Sequence, residues 1–185
     1  MLTFILGGAR SGKSAFAEQQ ARAVAGDDVL FVATAEARDE EMRRRIERHR
    51  RSRPAPWRTV EAPRGVGQAI RQHTAGARAI VVDCLTLLVA NVLAEWDDPW
   101  AEEAAEAVRR EVEELVAAVR AVDAHVFVVS NEVGFGLVPT SPLGRAYRDL
   151  LGEANRHVAA AADRVYLLIA GIPLLLRDGI DTQRR

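Results

Sequence analysis

Gly7-Gly8-Ala9-Arg10-Ser11-Gly12-Lys13-Ser14 follows directly on the apolar run Leu2-Thr3-Phe4-Ile5-Leu6 and fills every fixed position of the pattern G-x-x-x-x-G-K-[ST]. Its chemistry is the cradling of phosphate. Gly7 and Gly12 permit backbone conformations that turn successive N–H groups onto an anion, and a helix starting near Lys13 adds its positive N-terminal end. Of the 25 lysines and arginines in the chain, Lys13 is the only lysine. A compact ammonium on a flexible stem reaches terminal phosphates where a planar guanidinium fits less well. Ser14 then offers a hydroxyl to a Mg²⁺ ion bridging those phosphates.

A second candidate is Asp83, which ends the apolar run Ala79-Ile80-Val81-Val82. An acid at the end of a strand is the usual Walker B element, which helps hold Mg²⁺ beside the P-loop. A third candidate lies in the stretch Arg38 to Arg53, with eight arginines and four acids. Met42, Ile46 and His49 follow i, i+4, i+7 spacing there, so His49 shares a helical face with two apolar residues, and Arg45 and Arg53 lie one turn to either side. Such a histidine is usually a packed core residue, and otherwise a nucleophile or a ligand. An imidazole is mostly neutral near pH 7, which leaves a nitrogen lone pair for attack at phosphorus, and adjacent arginines would neutralise phosphate oxygens. Asn131-Glu132-Val133-Gly134-Phe135-Gly136 reads as a glycine-containing loop at a strand's C-terminal end, where open α/β sheets bind ligands, or as a plain turn. Spacing alone gives Glu61 no role. The single cysteine, Cys84, forms no internal disulfide and reads as a buried structural thiol.

These residues need a sheet edge to converge on. Apolar runs at Leu2 to Leu6, Val29 to Ala33, Ala79 to Asp83, His125 to Ser130 and Val165 to Ala170, with a weaker one at Arg58 to Glu61, predict strands. They are near-continuously apolar, as expected of parallel strands covered on both faces. Helices are predicted over Lys13 to Ala25, Arg38 to Arg53, Gly65 to Thr74, Ala101 to Val122 and Leu143 to Ala162. In the fourth, Val108, Val112, Leu115, Val119 and Val122 form an apolar stripe. Pro54-Ala55-Pro56 ends the second and Asp97-Asp98-Pro99 starts the fourth. The alternation predicts a three-layer α/β fold of the P-loop NTPase type, with a mainly parallel central sheet flanked by helices.

A length of 185 residues suits one domain, expected over residues 1–177, with a polar tail over residues 178–185. A hydrophobic fraction of 49% and a formal net charge of −1 supply no general attraction to nucleic acid or anionic membrane. No stretch has the length of a membrane span, and the first apolar run reads as a strand and not a signal peptide, so a cytoplasmic location is expected.

The ordered set of motifs says more than the P-loop alone. Residues 7–14, Ala33-Thr34-Ala35, Glu41-Met42 with Arg45-Ile46 and His49, Arg53-Pro54 with Trp57, Thr59 and Glu61, Asp83-Cys84-Leu85-Thr86, Asn131-Glu132-Val133-Gly134, and Leu143-Gly144-Arg145 with Arg148-Asp149 resemble the bifunctional adenosylcobinamide kinase / adenosylcobinamide-phosphate guanylyltransferase family. The resemblance runs from about residue 3 to residue 176. It implies a RecA-like fold and two reactions. In the first, ATP or GTP phosphorylates the aminopropanol hydroxyl of adenosylcobinamide. In the second, GTP gives GMP to adenosylcobinamide phosphate through a guanylyl-histidine, releasing pyrophosphate. His49 matches the family's guanylylated histidine. Residues 7–14, Ala33, Thr34, Ala35, Arg50, Arg51, Ser52, Arg53, Glu61 and Asp83 match its nucleotide-contacting segments, with Arg50 to Arg53 in a stretch where the family varies. Mg²⁺ is expected at Ser14 and Asp83, and a homotrimer is expected by resemblance. Glu132 is a candidate base for the kinase step on its loop position alone. Two other readings stand beside this one: a P-loop small-molecule kinase or NTPase in which His49 is structural, and a nucleotide-regulated module whose arginine-rich helix engages RNA or a protein.

Overall fold

The computed structural model describes residues 1–37 and 39–179, with the side chains of Arg45 and Ser52 left aside. In chain order the elements are β1 (Leu2–Gly7), α1 (Lys13–Ala25), β2 (Val29–Ala33), α2 (Glu40–Ser52), β3 (Arg58–Glu61), α3 (Val66–His73), β4 (Ala79–Asp83), α4 (Leu85–Leu93), α5 (Glu102–Ala121), β5 (His125–Asn131), α6 (Pro142–Ala161), β6 (Arg164–Ile169) and β7 (Ile172–Asp178). One sheet holds all the strands in the order β3-β2-β4-β5-β1-β6-β7. Every pairing is parallel except β6 with β7.

Alternate residues of the central strands feed two cores. Ile5, Phe31, Val81, Phe127 and Val129 meet Ala17, Ala21 and Ala25 of α1 on one face. Three alanines at four-residue spacing bring that helix close to the sheet. Phe4, Leu30, Val32, Ile80, Val82, Val126 and Val128 face α3, α4, α5 and α6 on the other. Burial on both faces explains why these strands read as continuous apolar runs. The P-loop strand β1 and the Asp83 strand β4 are separated by β5, the RecA-like arrangement.

Two elements depart from the expected list. Leu85–Leu93 is a helix of nearly unbroken apolar character, with seven of its residues buried, so it shows no amphipathic period. Ile172–Asp178 forms an antiparallel edge strand after a tight turn in which Ala170 (φ 51°) and Gly171 (φ 83°) both take left-handed conformations, as a two-residue hairpin with primed geometry requires. The last predicted strand therefore stops at Ile169. Asp178, assigned to the expected tail, instead closes β7, and residues 180–185 lie outside the described residues, as does Arg38 at the predicted start of α2.

Candidate active site

Parallel register sets the site's floor. Ala33 pairs with Asp83 on one side and with Glu61 on the other, so these three residues form one row at the C-terminal ends of β4, β2 and β3. Gly7 pairs with Asn131 on the adjacent strand β5, which lines up the P-loop with the loop after β5.

The P-loop backbone has the predicted strain pattern. Gly12 is left-handed (φ 93°) at the N-cap of α1, and Gly7 cannot carry a side chain, because a Cβ there would stand 2.5 Å from the Leu168 carbonyl oxygen and 2.6 Å from Ser11 Oγ. Arg10 is also left-handed (φ 57°), and it points to solvent. Lys13 is only 7% exposed, and its Nζ donates to the Gly8 carbonyl at 2.6 Å. The ammonium is thus curled over the loop that would hold phosphate. Ser11 Oγ is buried with no hydrogen-bond partner among the described residues. An orphaned hydroxyl in a ring of backbone amides is the polar demand a bound phosphate would meet.

Ser14, Ala33, Ala35, His49, Arg50, Arg53, Glu61 and Asp83 line one cavity. Met42 and Ile46 line it too, so the predicted Met42–Ile46–His49 face of α2 turns toward the P-loop. Asp39 caps this helix, its carboxylate accepting from Met42 N at 2.7 Å. Arg50 forms an ion pair with Glu61, tying α2 to β3. Arg53 lies over the Phe31 ring with its guanidinium carbon 3.8 Å from the centroid, and its Nε is buried without a partner among the described residues. Burial lowers the Arg53 guanidinium, while the charges of Asp83 and Glu18 oppose that shift.

Glu18 was not visible as a site residue in the sequence. It stands one turn beyond Ser14 on α1, and burial followed by the Asp83 charge raises its carboxyl above the ordinary range, with Arg53 opposing. The i+4 spacing from the P-loop serine was the signal that could have found it. The neighbouring Cys84 thiol is pushed up to about 11, first by burial and then by Asp83. That thiol stays protonated at neutral pH, but Cys84 is half-buried and lines the cavity, so the fully buried thiol that was expected is not found.

Other predicted residues sit differently. Thr34 is wholly buried, with its hydroxyl donating to Cys84 O at 2.8 Å and accepting from Cys84 N at 2.7 Å. Its side chain braces β2 against β4 and is closed off from any ligand. Asn91 of the unforeseen helix α4 holds the same corner, donating to Thr34 O at 2.8 Å and Pro63 O at 3.0 Å. Gly8 and Ala9 are exposed at the crest of the loop, and Arg51 faces solvent. The side chain of Ser52, like that of Arg45, lies outside the described residues. Trp57 is buried and donates from Nε1 to Gly26 O at 3.2 Å, fixing the entry to β3. Glu132 folds back on its own loop, its Oε1 accepting from Gly134 N at 2.7 Å. A larger groove lined by Val112, Leu150, Arg109, Glu153 and His157 contains none of the predicted site residues.

A P-loop, a strand-end acid and an imidazole around one cavity can bind a nucleotide's phosphates and attack one of them. The family model for cobinamide kinase / cobinamide phosphate guanyltransferase matches residues 3–176. The chain belongs to this family. Relatives include the bifunctional adenosylcobalamin biosynthesis protein CobU of Escherichia coli strain K12, 40% identical over 96% of this chain and 100% of its own length. Another is the bifunctional adenosylcobalamin biosynthesis protein CobP of Pseudomonas aeruginosa, 41% identical over 96% of this chain and 98% of its own. Among solved structures, the flagellar accessory protein FlaH from Methanocaldococcus jannaschii is similar over 97% of this chain and 79% of its own, at 14% identity and a TM-score of 0.49. The family expected from the ordered motifs is the one found. As a member, the chain is a nucleotide-using kinase and guanyltransferase of cobalamin biosynthesis acting on cobinamide compounds. Among the described residues, no helix is long and apolar enough to cross a membrane.

Proposed function

We propose that the single domain phosphorylates the aminopropanol hydroxyl of adenosylcobinamide with ATP or GTP, and then transfers GMP through His49 to give adenosylcobinamide-GDP. The observation that carries this reading is the shared cavity: His49, Ser14 and Asp83 line the same space. A phosphate-binding loop alone serves many kinases, whereas an imidazole from a separate helix facing that loop suits attack on a bound nucleotide. A ring nitrogen of His49 attacks the α-phosphorus of GTP, the bond to the bridging oxygen breaks, and pyrophosphate departs. The phosphate of the acceptor then attacks the same phosphorus and releases the histidine. Dividing one displacement into two makes each easier. Lys13 and the amides of residues 8–14 would hold the β- and γ-phosphates in the first step, and Arg50 and Arg53 would neutralise oxygens on the α-phosphate.

Ser14 and Asp83 are hard oxygen donors suited to Mg²⁺, which when bound would neutralise charge on the triphosphate. Groups of three or more His, Cys, Asp or Glu suited to a metal are absent among the described residues. That fits an ion held by one carboxylate, one hydroxyl, phosphates and water, the usual manner for Mg²⁺.

The homotrimer expected by resemblance has a surface to use. On β7, Ile172 (71% exposed), Leu174, Leu175 and Leu176 leave apolar side chains in solvent along a strand edge that is unpaired among the described residues. Such an edge is usually blunted or covered, and a second copy of the chain would cover it. A cytoplasmic enzyme that needs neither membrane nor nucleic acid completes the reading.

Incubation with GTP labelled at the α-phosphate tests the central step. The protein should gain an acid-labile, alkali-stable GMP adduct that His49→Ala lacks. Folded wild-type protein that phosphorylates adenosylcobinamide yet forms no adduct would leave only the kinase.

A further inference from the structure

We infer that the loop between β5 and α6 is the platform on which the corrin ring of the acceptor rests, with Phe135 and Leu137 as its principal contacts; this rests on the reading above. Phe135 is 86% exposed, Leu137 95%, Val138 64% and Leu143 52%. Residues 133–144 carry no charged side chain. Four large exposed apolar groups within one uncharged segment are a concentration that marks an interaction site.

The loop is braced at both ends. Glu132 N donates to Gly7 O at 3.1 Å, joining its start to the P-loop strand. Glu132 Oε1 takes the Gly134 amide, and the Arg145 guanidinium donates to Pro139 O at 3.1 Å and Thr140 O at 2.7 Å. Ser141 Oγ accepts from Gly144 N at 3.1 Å, starting α6. A Cβ on Gly144 would come within 2.8 Å of Pro139 Cβ, so the chain is folded tightly on itself here. The segment that carries the apolar side chains is thus anchored at both of its ends, which limits the entropy lost on binding.

Location selects the occupant. The loop leaves β5, the immediate neighbour of the P-loop strand, at the sheet edge where triphosphate would bind. The acceptor must bring a hydroxyl, and later a phosphate, to that edge, while its macrocycle is too large to enter the cavity. A corrin ring has a broad apolar face fringed with amides. The face matches the exposed side chains of Phe135, Leu137 and Val138. A second copy of the chain is the poorer match, because β7, three strands away from β5, offers its own apolar edge and this loop has no strand to pair among the described residues.

The test uses the full chain carrying Phe135→Ser with Leu137→Ser, and Phe135→Leu as the conservative control. Adenosylcobinamide binding is followed by equilibrium dialysis, read by corrinoid absorbance, and needs no turnover. The double variant should bind the corrinoid at least about ten-fold more weakly, the control nearly normally. KM for adenosylcobinamide phosphate should rise alike, with kcat and GMP-adduct formation unchanged. Unchanged corrinoid binding would overturn the inference, as would a change of oligomeric state by light scattering. Absence of the adduct in wild-type protein counts against the histidine mechanism alone, since dialysis still decides the platform.

Discussion

The P-loop and helix α2 contribute to one cavity, but they are held there by opposite means. Residues 7–14 are suspended between core elements: Lys13 and Ser11 are buried, Gly7 has no room for a Cβ, and Ser11 O accepts from Gly171 N at 3.0 Å. Helix α2 has no fully buried residue among its described side chains: its N-cap and Glu40 ion pairs lie within the helix, Met42, Ile46 and His49 are half-buried against the cavity, and the Arg50–Glu61 pair ties it to β3. Exposed pairs of this kind contribute roughly 0–1 kcal/mol each. One half of the site is thus part of the fold, and the other is lightly attached to it. Damage to the first should reach both reactions and stability, whereas damage to the second should reach guanylyl transfer alone.

The sharpest break comes from the two residues that would do the chemistry. His49→Ala should abolish the GMP adduct and leave phosphorylation of adenosylcobinamide within about two-fold, measured on the same preparation. Lys13→Arg keeps the charge but replaces an ammonium buried over the Gly8 carbonyl, and both reactions should fall on the order of 100-fold. Loss of transfer only would show that Lys13 serves one reaction.

A middle-sized effect belongs to the floor. Thr34→Val removes the hydroxyl that satisfies both Cys84 N and Cys84 O. An unsatisfied buried amide costs about 1–3 kcal/mol, so melting should drop by several degrees. Kinase and transferase should weaken together, because Asp83 precedes Cys84 on the same strand end.

The same contrast explains what could be read from the amino-acid sequence. Core-built parts were legible, since burial on both faces writes itself as apolar runs: β1, β2, β4 and β5 fall within a residue of expectation. The P-loop was legible because its glycines answer to backbone geometry. Helix α4 was not, as its burial on all sides erases the period that marks a helix. Strand β7 was missed because Ile172 to Leu176 are apolar yet exposed, so their pattern reports no core. On α2, spacing identified the Met42–Ile46–His49 face, but not which arginines follow it: Arg53 turns inward over Phe31 while Arg51 stays in solvent. That choice is made by tertiary contact, as is the meeting of Glu18 with Asp83 and Arg53.

Acid offers a smaller test that reaches only the core half. His125 stacks on Phe127 at 4.2 Å, its Nε2 is 2.9 Å from Thr3 Oγ1, and its pKa is lowered to about 4 by burial, then by the N-terminal ammonium and Arg164, with Asp163 opposing. The unfolded histidine titrates near 6.5, so between these values the unfolded chain binds more protons and stability falls as pH drops. Above about 6.5 the contribution is complete. His125→Gln should flatten the dependence of Tm on pH between about 6.5 and 4, and an unchanged slope would place the acid sensitivity elsewhere.

The smallest effect tests how lightly α2 is attached. Asp39 accepts from Met42 N at 2.7 Å at the helix's first turn, and Met42 lines the cavity with His49. Replacing an N-cap by alanine costs a helix about 1 kcal/mol. In a helix packed into the core that loss would appear in global unfolding. Here α2 can fray while the sheet stays folded, because its attachments are at the surface. Asp39→Ala should therefore leave Tm within about a degree and phosphorylation unchanged, while slowing the GMP adduct several-fold. Asp39→Ser, which restores a capping oxygen, should recover it. A fall in Tm as large as that of Thr34→Val would mean that α2 is as much a part of the core as the P-loop, and the contrast between the two halves would fail.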